Sequence, residues 1–449
     1  MLLLKIIIGL FGLGIVVFIH ELGHFLAARL TGIGVEAFSI GWGNPILKKK
    51  IGSVEYRLGM FPLGGYCKMK GETDYKEAWE NIAKGVKPEE GSYLGAHPGK
   101  RVLVSLGGPL FNLLFAILLL SFLWGIGFEI NTLGNRIILA SEITQDQFYP
   151  ADEAGFRTGD RIIGINGKEI NYYHEVQENI ALNPDRPLLV TVDRDNEIIT
   201  LNVRPSLDKS SGTGKIGVYF WVDPFIENIR EGSPAADAGL MAGDKVVKAQ
   251  GKPIQNSMDL MKIIEQNPES ITLEYERNGI LNTTQMIVNE PSGDLGFSWK
   301  SIHYRTPNLS FPFAAAAGFK EGYKVFSTSI RSLKLLFMGI DLTQAVSGPV
   351  RLTYMIGDMA AQGFGQGFGV GIRSIIDFIS LVSIALCVMN LLPLPILDGG
   401  MIILFLVELI RRKPAHPRAI TIFQTCGIVI IFGLMILAVF GDILYFVRK

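Results

Sequence analysis

Three stretches without a single Asp, Glu, Lys or Arg constrain this 449-residue chain most: Val102–Phe128 (27 residues), Ile379–Leu397 (19) and Ile420–Gly441 (22). About 20 apolar residues cross a bilayer as a helix, so each run is long enough to span one and a wholly soluble chain is excluded. A mean hydropathy of only +0.31 equally excludes a chain that is mostly membrane. A fourth apolar stretch, Ile6–Ile19, opens the chain and continues to about Leu30, interrupted by His20, Glu21 and His24. A cleaved signal peptide needs a basic start and an unbroken apolar core, whereas this stretch offers one Lys5 and three ionisable interruptions; a retained helix is expected. The 42 Lys and Arg residues offset the 42 Asp and Glu. The basic excess of a nucleic-acid binder is absent.

Basic residues in short connections set membrane orientation. Lys48, Lys49, Lys50, Arg57, Lys68, Lys70, Lys100 and Arg101 follow the first span, and Arg411, Arg412, Lys413 and Arg418 precede the last. Both segments are expected in the cytoplasm, and the insert from about 129 to 370, with both termini, on the other side. The three cysteines, Cys67, Cys387 and Cys426, are too few for a disulfide framework, and none falls in the insert.

The insert repeats itself. Ala154-Gly155-Phe156, Gly159-Asp160, Gly167 and Asn183-Pro184 recur 84 residues later as Ala238-Gly239-Leu240, Gly243-Asp244, Gly251 and Asn267-Pro268. Each copy has a small-residue turn, a short apolar strand, a turn glycine, a helical stretch and then alternating strands at Leu188–Arg194 and Ile271–Arg277. Two copies read as duplicated domains rather than a solenoid. The pattern resembles a PDZ domain in the permuted bacterial arrangement, twice over. That resemblance implies binding of extended peptides at a sheet edge. Lys215-Ile216-Gly217-Val218 is expected to be the peptide-binding loop of the second copy; inert spacing is the alternative.

His20-Glu21-Leu22-Gly23-His24 is an HExxH motif. On a helix its histidines, four residues apart, share one face and are able to hold one metal ion, with Glu21 beside a metal-bound water. With six histidines in the chain, such a motif arises by chance roughly 0.004 times. Its position inside an apolar span is more telling, because ionisable groups there are expensive and functional by default. Catalytic zinc usually takes a third protein ligand. Asp398 follows Asn390-Leu391-Leu392-Pro393-Leu394-Pro395-Ile396-Leu397, whose two prolines break a helix at membrane depth. It reads as that ligand or as a helix cap.

HExxH in the first helix, NxxPxPxLDG in a late one and the duplicated external domain between them resemble the site-2 protease family of intramembrane zinc metalloproteases, in its four-span bacterial RseP-type form, over essentially the whole chain. Gly107-Gly108-Pro109 with Asn112, and Phe61-Pro62-Leu63-Gly64-Gly65-Tyr66, add to the likeness. The resemblance implies Zn2+ held by His20, His24 and Asp398, Glu21 as catalytic acid/base, and Asn390, Pro393 and Pro395 lining the substrate site. Residues Ser53–Tyr66 alternate before a turn-rich Pro62–Gly65 and read as a hairpin. By resemblance it is a membrane-associated β-loop whose edge, including Leu58, Gly64 and Gly65, pairs with substrate. The implied substrates are single-span membrane proteins, such as an anti-sigma factor already trimmed by another protease in an extracytoplasmic stress pathway, and remnant signal peptides. The implied location is the cell inner membrane.

The expected fold is therefore a polytopic α-helical membrane protein with four transmembrane helices, a membrane-associated β-hairpin and two extracytoplasmic α+β PDZ domains. Its layout is a first span at 1–30, a cytoplasmic segment with the β-loop at 31–100, a second span at 101–128 and PDZ domains at 129–214 and 215–308. Interfacial amphipathic and Gly-rich segments follow at 309–371, a third membrane region at 372–410, a cytoplasmic loop at 411–418 and a fourth span at 419–447. Two other readings stay open: an HtpX-type membrane zinc protease, which predicts a glutamate third ligand and no PDZ pair, and a non-catalytic PDZ scaffold sensing misfolded external peptides.

Overall fold

The computed structural model describes residues 2–71, 89–144, 148–209, 212–266, 268–288, 295–335, 348–413 and 416–448; the expectations placed on 72–88, on Asn267 and on 336–347 lie outside them. The chain forms two compact units, one of Met1–Phe128 with Thr306–Lys449 and one of Glu129–Arg305.

In the first unit, four helices are long and apolar enough to cross a membrane: Lys5–Thr31, Pro98–Ile126, Phe368–Asn390 and Thr421–Val447. They coincide with the four apolar stretches of the sequence. The first and second pack through glycines, for a Cβ on Gly23 would overlap the Gly107 carbonyl. The third ends at Asn390 and helix resumes only at Asp398–Arg411, so the two prolines do interrupt the apolar run. That last short helix is tied to the second span by the buried Arg101–Glu408 ion pair (2.9 Å) and by the Arg101 guanidinium over the Phe405 ring.

The β-hairpin differs from its expected form. Strands Val35–Ile51 and Val54–Met69 pair across a turn at Gly52-Ser53, and Pro62–Gly65 lies within the second strand rather than at the turn. Residue partners divide the pair into four segments side by side, in the order 65–69, 35–40, 54–58, 47–51. The alternation of Val54, Tyr56 and Leu58 marked a strand correctly; the reversal ahead of it is made by Gly52 at φ +61°, a single glycine with little sequence context.

The expected interfacial helix runs Phe311–Leu335, and it packs lengthwise on the second span: Gly318 abuts Ser121 and Gly322 abuts Ile117. Its small residues make this close packing feasible. Of the five glycines from 363 to 371, Gly363 and Gly365 lie in helix Pro349–Gln366, Gly369 and Gly371 in helix Phe368–Asn390, and Gly367 joins the two at φ +139°.

In the second unit the duplication is complete. Each copy is a four-stranded antiparallel sheet with one helix between its second and third strands in chain order. In the first copy the sheet order is 168–169, 161–165, 188–194, 197–203 with helix Tyr173–Ala181; in the second it is 252–253, 245–249, 270–277, 280–287 with helix Ser257–Ile264. Strands Glu129–Thr132 and Ile302–Arg305 pair with each other, so the unit's two ends lie side by side.

The repeated Gly-Asp has a structural cause. Asp160 and Asp244, each 1% exposed, accept the backbone N–H of Arg157 and Met241 and bind Arg194 and Arg277 through two nitrogens at 2.7–2.8 Å. These bonds raise the pKa of both guanidinium groups above the ordinary arginine value. The preceding Gly159 and Gly243 sit at φ +99° and +93°, a region that strains any other residue.

One assignment is corrected here. Lys215–Val218 belongs to the first copy: Ile216 is in its core, Val218 pairs with Leu139, and the Gly217 and Ile216 carbonyls accept from Ala140 and Ala151. The boundary between copies therefore falls after Trp221, whose N–H bonds Arg136, and not at 214/215. The matching loop of the second copy is Leu295-Gly296-Phe297. Because the chain reaches this strand last in each copy, counting repeats from the Ala-Gly landmark assigns it to the wrong neighbour.

Replacing Asp160 by Ala should destabilise the first copy by about 3 kcal/mol, the low end for a buried ion pair because Arg194 is partly exposed. Limited proteolysis of the full-length protein is expected to show earlier cleavage within 133–221 while 222–300 stays resistant.

Candidate metal centre

The first helix carries His20 and His24 on one face, both buried, with 8% and 9% of their surface exposed. The resumed helix after the third span begins at Asp398. Its start is forced close by the loop before it: Gly399 and Gly400 pack on the carbonyls of Leu391 and Leu394 where no Cβ fits, and Ile396 is held at φ +80°. A β-branched residue in that region is strained, of the order of 1–3 kcal/mol. The broken span thus holds Asp398 where a continuous helix would not.

The three side chains converge. His20 Nε2 lies 3.3 Å from Asp398 Oδ2, His24 Nε2 lies 3.5 Å from Asp398 Oδ1, and the two Nε2 atoms are 3.2 Å apart. Among the described residues, these are the only His, Cys, Asp or Glu groups of three or more so gathered. A tetrahedron with metal–ligand bonds of about 2.0–2.1 Å has edges of about 3.3 Å, so this donor set fits zinc in size and in chemistry.

The second helix backs the site with every fourth residue. The Val104 carbonyl is 2.9 Å from His24 Nδ1, Gly108 faces both imidazoles, and Asn112 reaches His20 Nδ1 at 3.2 Å. A Cβ on Gly108 would overlap His24 Nε2 and lie 2.7–2.8 Å from the His20 ring. Val104 went unnoticed as a sequence, since a backbone carbonyl leaves no mark in it. Gly108 and Asn112 were visible only as parts of a family-like motif without a role.

The remaining predicted residues separate into near and far. Glu21 sits among the charges of His20, His24 and Asp398, and the Cys67 main chain hydrogen-bonds its carboxylate. Gly65, on the same strand, passes so close that a Cβ there would be 3.1 Å from Glu21 Cγ. Asn390 Nδ2 is 3.4 Å from His20 Nε2. Pro395 packs instead on Gly427 of the fourth span, and Gly64 on the Trp42 ring. Pro393 lies in the loop that breaks the third span. Leu58 is set apart from the others: it has Ile40 on one side and Leu47 on the other, so its backbone offers no free strand edge.

A two-histidine, one-carboxylate donor set buried among apolar helices, with a glutamate alongside, defines the class as a metal-dependent membrane hydrolase. The sequence model of peptidase family M50 matches residues 8–434, and the chain belongs to that family. It is 34% identical to a protein of Treponema pallidum named as a zinc metalloprotease, over 98% of this chain and 99% of that one. It is 28% identical to the regulator of sigma-E protease RseP of Escherichia coli, over 96% of each, and equally to the regulator of sigma E protease of Salmonella typhi. The chain is a zinc metalloprotease of the RseP type. An HtpX-type enzyme is set aside, since the carboxylate gathered with the histidines is Asp398 and not a glutamate.

Gly108→Ala should push the imidazoles apart and lower zinc affinity by at least about 10-fold. Metal content of the purified variant, measured by mass spectrometry against wild type, checks this.

Proposed function

We propose that this protein cuts single-span membrane proteins within or near the bilayer, with His20, His24 and Asp398 holding zinc and Glu21 as general acid/base. The convergence of those three donors inside apolar helices carries the reading. Zinc bound there supplies Lewis acidity, polarising the scissile carbonyl and acidifying water. Glu21, beside the donors, takes a proton from the attacking water and delivers one to the leaving amine. Its hydrogen bond to the Cys67 main chain fixes the carboxylate for both transfers.

A helical substrate hides its amides in internal hydrogen bonds and must be held extended to be cut. The segment 65–69 suits this: residues 35–40 pair with one of its edges, and it runs beside Glu21. Gly65, having no side chain, lets the segment pass close beside Glu21. Asn390, Pro393 and Pro395 flank the opposite side of the bound strand in this reading, while Leu58 supports the sheet from within.

The duplicated unit is read as two PDZ domains on the extracytoplasmic side of the inner membrane, with the hairpin and HExxH toward the cytoplasm. The first copy supports peptide contact with a cavity of about 490 Å³ between its helix and strand Val218–Phe220. There the Tyr173 hydroxyl donates to the Val218 carbonyl, and burial pushes its pKa up to about 12, so it stays a donor. Two relatives are named as regulators of sigma E. An anti-sigma factor left by an earlier protease is accordingly the first substrate to test, with remnant signal peptides second. A non-catalytic PDZ scaffold would have no use for a complete donor set.

Co-expression with a single-span substrate should give a cut within its apolar segment, mapped by mass spectrometry, and Glu21→Gln should slow it by about 10²–10⁴-fold with zinc retained. Cleavage by that variant at the wild-type rate would sink the assignment. Proline scanned across 65–69 is expected to impair the membrane substrate more than a short soluble peptide, with zinc content unchanged; equal effects on both would count against the edge.

A further inference from the structure

Asn112 is 0% exposed and stands on the second span, one turn beyond Gly108 in the row that Val104 begins. Its amide nitrogen lies 3.2 Å from His20 Nδ1, and its side-chain oxygen is buried without a hydrogen-bond partner. The Asn112 backbone carbonyl is occupied separately, accepting from Ser383 Oγ at 2.9 Å. So the side chain is anchored at its base, faces one imidazole, and has a spare acceptor.

The imidazole needs that acceptor. A metal on Nε2 leaves the ring proton on Nδ1, and metal-ligating histidines give that proton to a carbonyl or carboxylate. For His24 the Val104 carbonyl does this. His20 has no other group at its Nδ1 than Asn112 among the described residues. A carboxamide turned by 180° exchanges its nitrogen for its oxygen in the same space. We propose that Asn112 is the positioning residue for His20: its side-chain oxygen accepts the Nδ1 proton, holding Nε2 toward the zinc in the correct tautomer and ring orientation. This rests on His20 being a zinc ligand.

The test measures zinc affinity of the full-length purified protein by competition with a chelating dye, with cobalt absorption spectra as a second readout. Asn112→Leu, similar in size but without an acceptor, should bind zinc about 10–100-fold more weakly and shift the cobalt spectrum. Asn112→Asp keeps the acceptor and should bind at least as tightly as wild type. Thermal melts of metal-free protein serve as the folding control: a Leu variant that melts like wild type yet loses affinity supports the proposal. Equal affinity in Leu and wild type overturns it, and so does equal loss in Leu and Asp, which would mean that packing rather than the acceptor matters. If the Leu variant does not fold, the Asp variant decides alone, since weakened zinc binding there is incompatible with an acceptor role and retained binding supports it. Absence of zinc binding by wild type would instead remove the ligand assignment beneath it.

Discussion

The first and second helices touch backbone to backbone at Gly23 and Gly107, and the candidate metal centre depends on that approach. With a methyl group at either position the axes would separate, because a Cβ would overlap the facing carbonyl. The groups at both Nδ1 atoms, and the glycine against both rings, come from the second helix: Val104 on His24, Gly108 against both rings, Asn112 on His20. Small-residue contact of this kind is how helices associate where apolar lipid offers no hydrophobic drive. Here it also sets the distance at which a carbonyl and an amide reach two rings.

Buried polar groups in an apolar span are costly, at about 2.5–3.5 kcal/mol for a charged residue near the bilayer centre. Around the histidines the structure offsets this by bringing polar atoms together. Each histidine Nδ1 has a partner, each Nε2 faces Asp398, and Glu21 is met by the Cys67 main chain. Farther along the short helix Asp398–Arg411, Glu408 forms an ion pair with Arg101 of the second span, their side chains 6% and 4% exposed. Such a pair contributes little net stability but fixes geometry, since losing either member leaves a buried charge alone. Its place here is on the helix that begins with Asp398, where a rotation would carry the carboxylate away from the histidines.

The apolar runs were legible in the sequence because length and missing charge are summed over 20 residues and tolerate local error. HExxH was legible because helix periodicity alone brings positions 20 and 24 together. Asp398 was legible only as one of two readings: the loop that aims it depends on Ile396 in a strained conformation and on two glycines meeting carbonyls, which no periodicity encodes. The hairpin turn and the repeat boundary were misplaced for a related reason. Both are decided by which distant segment a strand pairs with, and residues 54–58 alternate in the same way whether their neighbour is 35–40, 47–51 or both. Leu58 was assigned to a substrate edge by family resemblance, and pairing with Ile40 on one side and Leu47 on the other removes it from one.

Irregular backbone at membrane depth is tolerated only where protein or water satisfies it. This chain places two non-helical stretches beside its candidate metal centre: the loop 391–397 leading to Asp398, and the strand 65–69 leading past Glu21. Neither contributes hydrophobic packing that a plain helix would not supply better. Under the proposed function, the strand 65–69 would offer main-chain donors and acceptors beside Glu21, which an extended substrate strand needs once its own helix is undone. A protease working on soluble, already extended chains has no need to supply them; one that receives helices must replace the hydrogen bonds it breaks. In the proposed function the two stretches divide the work: the loop after Phe368–Asn390 aims Asp398 at the histidines, and the strand 65–69 meets the substrate strand.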